Sequence, residues 1–238
     1  MGFGLLKAAK PWLPSEWYRD LDYLVNRAYY RQQQVRLKDF LRNQCIFIHI
    51  PKTAGNSVAD AIFEHGTPGH KTVREYRRVL GRKFWSYYKF TFVRNPYARL
   101  VSAYDFLKKG GHPDYPRDRQ FSNEVLSAYD DFSDFVLRWL HPDKIDWPVN
   151  HFYPQVYFLT LDNSLAVDFI GRMESLDDDF ATIKMRLRKD VSLPKKNITP
   201  GQRKPLASYY QKDAVIHRVQ TVYAADFERL DYRLEFSD

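Results

Sequence analysis

Lys52-Thr53-Ala54-Gly55-Asn56-Ser57 joins a mobile cation to two small residues and three hydrogen-bonding side chains, directly after an apolar run. That combination suits an anion. Ala54 and Gly55 let backbone approach a phosphate closely, Lys52 supplies charge, and Thr53, Asn56 and Ser57 offer hydroxyls or an amide. A helix opening at this point adds its unpaired N–H groups and the positive end of its dipole. The spacing is not that of the usual P-loop, Gly-x-x-x-x-Gly-Lys-Ser/Thr, so an ordinary capped turn between strand and helix stays open from these residues alone.

A second segment offers more of the same chemistry. Arg94 closes another apolar run and Ser102 lies two helical turns beyond it, which places both within reach of a second phosphate at the same sheet edge. A lone Arg at a strand end also serves as a salt-bridge partner. Among seven histidines, His70 stands between the two segments, and an imidazole titrating near neutrality suits the removal of a proton from a hydroxyl. His49 falls within an apolar run and reads as a hydrogen-bonded core residue. His112 and His151 are reserve candidates, the first in a loop that would border an acceptor. Lys195, Lys196, Arg203 and Lys204 form a basic loop, either solvated or closed over an anion.

The elements that must hold these residues follow from periodicity. Cys45 to Ile50 and Lys89 to Arg94 are short, branched and nearly continuous apolar runs, as in strands buried on both faces of a parallel sheet. Each leads into a helix, Asn56 to His65 and then Leu100 to about Leu107, the second stopped by Gly110-Gly111. Such strand–helix units give an α/β architecture. Val156 to Leu159 and Val167 to Ile170 read as further strands, Gly111 to Ser122 as an exposed loop, and Tyr129 to Leu140, Leu176 to Arg188 and Leu206 to Arg229 as helices. Residues 15 to 42 read as a helical N-terminal extension.

With 238 residues, 44% of them hydrophobic, the chain suffices for one core, and its net charge of +8 favours an anionic partner. One cysteine, Cys45, makes no internal disulfide, which fits a reducing, cytoplasmic setting. No run of about 18 apolar residues marks a transmembrane segment. The stretch from Trp12 to Val25, with Lys7, Lys10 and Arg19, has the makings of a peripheral contact with the inner face of a membrane, or of a helix packed on its own domain.

Together the two segments resemble a known family. Ile48-His49-Ile50-Pro51-Lys52-Thr53-Ala54-Gly55-Asn56-Ser57 is similar to the 5′-phosphosulfate loop of sulfotransferases that use 3′-phosphoadenosine-5′-phosphosulfate (PAPS), and Phe92 to Tyr104 to their 3′-phosphate motif. The resemblance is nearest to the carbohydrate branch, with its uronyl 2-O-sulfotransferases and small bacterial relatives, and extends weakly through Pro154-Gln155, Asp168 to Glu174, Tyr209-Tyr210 and Asp226-Phe227. It implies a P-loop-like three-layer sandwich, a central parallel sheet flanked by helices, with a sulfotransferase domain over 45–238 after an extension over 1–44. Lys52 would contact the 5′-phosphosulfate and its bridging oxygen, Thr53, Ala54, Gly55, Asn56 and Ser57 would cradle the phosphate, and Arg94 and Ser102 would hold the 3′-phosphate, with Arg203 or Lys204 beside it. His70 would be the general base, PAPS the co-substrate, PAP the product, and a glycan or glycoconjugate hydroxyl the acceptor, with no metal and no nucleic acid. Asn56 departs from the Ser or Thr of many members. Two readings compete: a P-loop-type kinase using Mg-ATP, for which the leading glycine spacing is wrong, and a basic nucleic-acid-binding module, for which no motif is present.

Overall fold

Helix α1 (Gln34–Asn43) begins the described part of the computed structural model, which covers residues 34–67, 69–141, 149–194 and 204–236. It sends Leu37 and Phe40 into the core and turns at Gln44, φ 48°, into strand β1 (Cys45–Ile48), buried at all four residues. Helices α2 (Gly55–Ile62), α3 (Val73–Leu80) and α4 (Lys83–Ser86) lead to β2 (Tyr88–Val93), and α5 (Pro96–Lys108) leaves it. Asn95 caps α5 by accepting from the N–H groups of Tyr97 and Ala98, with Pro96 in the first turn, where its missing N–H costs nothing.

Next come α6 (Pro116–Glu124), α7 (Phe132–Arg138), α8 (Gln155–Leu159), a two-residue hairpin of β3 (Thr160–Leu161) and β4 (Ser164–Leu165), and β5 (Phe169–Arg172). Helices α9 (Leu176–Arg186), α10 (Asp213–Val222) and α11 (Ala224–Arg229) complete the chain. The central sheet runs β1-β2-β5, all parallel, with Phe47 opposite Phe90 and Phe90 opposite Phe169. This is an α/β fold with a parallel three-stranded sheet flanked by helices. Cys45, buried with its thiol pushed up to about 12 by desolvation, is a core residue rather than a nucleophile.

Several expected elements differ. Val156–Leu159 is helical, not a strand: a short apolar run does not tell the two apart by periodicity, and here the Asp226 carboxylate accepts from the N–H groups of Gln155 and Val156 and starts a helical turn. The exposed loop expected over 111–122 contains α6, set by Pro116 in its first turn, and its Asp118 is buried against Gly111. The long last helix is broken into a 3-10 turn at Leu206–Ser208, then α10 and α11 about Tyr223, whose hydroxyl donates to the Phe152 carbonyl. The fourth sheet segment starts two residues later than expected, at Phe169, because Asp168 is held at the sheet edge by Lys89, whose N–H and ammonium both bond its carboxylate.

Candidate active site

Parallel strands end on one edge, so the turn after β1 and Arg94 after β2 lie at neighbouring carboxyl ends of the sheet. The turn is built under strain. Lys52 and Ala54 take positive φ values of 71° and 61°, a region that L-residues with a Cβ occupy at a cost of roughly 1–3 kcal/mol each. Thr53, fully buried, donates its hydroxyl to the Ile50 carbonyl at 2.9 Å, and Arg99 donates through Nε to the Pro51 carbonyl at 3.0 Å. Ala54 offers α2 no side-chain cap, which leaves the first N–H groups of that helix to whatever lies before it. Gly55 is obligatory for a packing reason, since a Cβ there would sit 1.9 Å from the His49 ring. Ser57 is buried and Asn56 exposed at the start of the same helix.

Three imidazoles line this edge. His49 is buried and its Nδ1 lies 3.0 Å from the Thr67 hydroxyl, as expected of a hydrogen-bonded core residue. His70 packs edge-on against it at 4.3 Å, and its Nδ1 is 2.9 Å from the His49 carbonyl. A carbonyl only accepts, so His70 Nδ1 carries the proton and Nε2 keeps the lone pair. The capping box of α3, in which Thr72 and Glu75 satisfy each other's backbone N–H groups, begins two residues later and fixes the segment's direction. His151 stands 6.1 Å from His70 and 5.3 Å from Phe106, and the Lys52 ammonium rests 3.9 Å above that same phenyl ring. Burial, with Lys52 and Arg99 close by, pushes His70 down to about 4 and His151 down to about 3; burial also holds His49 well below the usual range. All three are therefore neutral at pH 7.

Behind them lies a buried polar frame. Arg99 is 2% exposed and donates from Nη2 to the His151 carbonyl at 3.2 Å, tying the turn after β1 to the segment before α8. Gln155 accepts from the Arg94 N–H at 2.9 Å and donates to the Arg94 carbonyl at 2.8 Å, while its own N–H goes to Asp226. Burial raises the Asp226 carboxyl and Arg99 opposes that rise. In the sequence Arg99 carries one signal, a cation in an otherwise apolar helical stripe. Gln155 and Asp226 lay in the weak part of the resemblance.

Ser102 is half-buried in α5, and Arg94 is half-buried directly after β2. Arg203, with Lys195 and Lys196, lies outside the described residues, as does the segment read as a peripheral membrane contact. His112 caps its own loop, accepting from the Asp114 N–H while its own N–H donates to Asp118. A separate trio, Asp39, Glu64 and His65, has ligand atoms within 4.8 Å of one another at the opposite end of α2, but His65 already bonds Asp39 and Arg42 pairs with Glu64.

Residues 36–233 match the sulfotransferase family. The chain belongs to that family. Among its curated relatives, carbohydrate sulfotransferase 12 of Mus musculus is 28% identical over 202 positions, covering 71% of this chain and 47% of the relative, and the Xenopus laevis protein of the same name is 28% identical over 204 positions with the same coverage. Carbohydrate sulfotransferase 11 of Rattus norvegicus is 32% identical over 130 positions, 48% of this chain and 37% of the relative. This sulfotransferase-family chain thus spans about half the length of the curated relatives it matches. No solved structure matches it. No helix among the described residues is long and apolar enough to cross a membrane.

Proposed function

We propose that this chain transfers a sulfuryl group from PAPS to a carbohydrate hydroxyl, releasing PAP. The observation that carries the reading is the convergence, at one sheet edge, of the Lys52 turn with an imidazole whose tautomer leaves Nε2 as a base. Family membership and the carbohydrate sulfotransferase names of the relatives support the donor and the acceptor class. The N–H groups at the start of α2, with Thr53 and Ser57, would receive the 5′-phosphate. Arg94 and Ser102 would receive the 3′-phosphate, with Arg203 as a further candidate.

In the transfer, the acceptor oxygen forms a bond to sulfur as the bond from sulfur to the bridging 5′-phosphate oxygen breaks. The bonding pair leaves with PAP, and the acceptor proton passes to His70 Nε2. Lys52 moves from Phe106 to the bridging oxygen, where charge accumulates. Its charge and the helix N–H groups supply the stabilisation that a kinase takes from Mg²⁺, so no step is assigned to a metal.

The test is transfer from labelled PAPS onto a panel of unsulfated oligosaccharides. The expected result is a carbohydrate product bearing one sulfuryl group per PAP released, and a rate about 10²–10⁴ lower for His70→Ala. An undiminished rate in that variant would remove His70 as the base. Transfer to tyrosine peptides with none to any sugar would refute the acceptor class.

A further inference from the structure

Of the imidazoles beside Lys52, the reading above gives chemistry to one. His151 sits in a 3-10 turn, Asn150–Phe152, held on both sides: Arg99 bonds the His151 carbonyl and Tyr223 bonds the Phe152 carbonyl at 2.8 Å. The backbone of this turn is therefore fixed from both sides. It lies between His70 and Phe106, the ring on which the Lys52 ammonium rests. Yet its Nδ1 is buried with no hydrogen-bond partner among the described residues. A buried polar nitrogen left unpaired is costly, so one carried on a fixed backbone beside Lys52 calls for a partner that arrives with the ligand.

The surroundings say what that partner is. Burial first, then His70, Lys52 and Arg99, keep this ring neutral. A neutral imidazole can turn an N–H toward an anion, and an anionic oxygen selects the tautomer protonated at Nδ1.

Resting on the sulfotransferase reading, we propose that His151 is a further catalytic residue, whose Nδ1–H donates to a non-bridging oxygen of the sulfuryl group during transfer. The two neutral imidazoles then divide the work. His70 accepts the acceptor's proton at Nε2, while His151 keeps its own proton throughout and steadies the oxygens that spread around sulfur as one S–O bond forms and the other breaks.

Three substitutions test this, read by single-turnover conversion of PAPS to PAP with the oligosaccharide panel as acceptor, and separately by PAP binding. His151→Leu removes the donor, His151→Asp puts an acceptor in its place, and His151→Asn restores an N–H near the position of Nδ1. Conversion is expected to fall about 10²–10³-fold in the Leu and Asp variants and to recover to within about tenfold in Asn. PAP, which lacks the sulfuryl group, should bind the Leu and Asn variants as it binds the wild type. Equal loss in Asn and Leu, or PAP affinity falling in step with conversion in Leu, would make the ring a structural support and overturn the inference, as would wild-type conversion in His151→Leu. A wild-type chain that binds no PAP would instead overturn the sulfotransferase reading beneath it.

Discussion

Lys52→Met is expected to lower turnover by about 10²–10³ with a much smaller change in the KM for PAPS. The substitution keeps the length of the side chain and the backbone of the turn but removes the charge. That charge lies 3.9 Å above Phe106, a contact worth about 0.5–2 kcal/mol. The positive φ of 71° at this residue directs the side chain from a fixed point rather than from a mobile loop. Steady-state kinetics with PAPS and an accepted oligosaccharide separate the outcomes. A raised KM with unchanged kcat would mean that Lys52 binds donor and transition state alike, and the assigned role would be lost.

Acid should unfold this protein early. His49, His70 and His151 are all held below the imidazole value of 6.5, His70 at about 4 and His151 at about 3. In the unfolded chain they protonate near 6.5 and in the folded chain they do not. Unfolded molecules therefore bind more protons as pH falls through that value, and stability drops by up to about 1.4 kcal/mol per pH unit for each imidazole until the folded-state pKa is reached. Asp226 and Asp118 are both raised by burial and act in the opposite sense in the carboxylate range, offsetting part of the loss. Urea midpoints at pH 7 and pH 5 should show a marked fall, and His70→Gln should show a shallower one because one titrating group is gone. Equal slopes in the two proteins would place His70 in solvent contact rather than in the buried cluster.

Much of this architecture was legible because it is local. A branched apolar run, a small-residue turn and a helix start are written within fifteen consecutive residues, so β1, the Lys52 turn and α2 follow from the chain itself. The same holds for β2, the Asn95 cap and α5. Where the outcome depends on distant partners the sequence is silent. Val156–Leu159 becomes a helix through a carboxylate seventy residues away at Asp226, and Arg99 is buried because two carbonyls, of Pro51 and His151, wait for it. His70 was readable from its place between the two phosphate segments, but its usable nitrogen was not, since that rests on the His49 carbonyl. His151 carried no local pattern beyond being a histidine.

Thermal stability with PAP, against PAP with Arg94→Ala and against Mg-ATP, separates sulfuryl transfer from phosphoryl transfer at this sheet edge. Ligand at about 100 times its Kd adds roughly 2.7 kcal/mol, which for a chain of this size moves Tm by about 5–10 °C. The sulfotransferase account predicts a shift of that order with PAP, lost in Arg94→Ala and absent with Mg-ATP. No response to PAP, or a larger one to Mg-ATP, would contradict it and favour a phosphoryl-transfer enzyme at the same sheet edge.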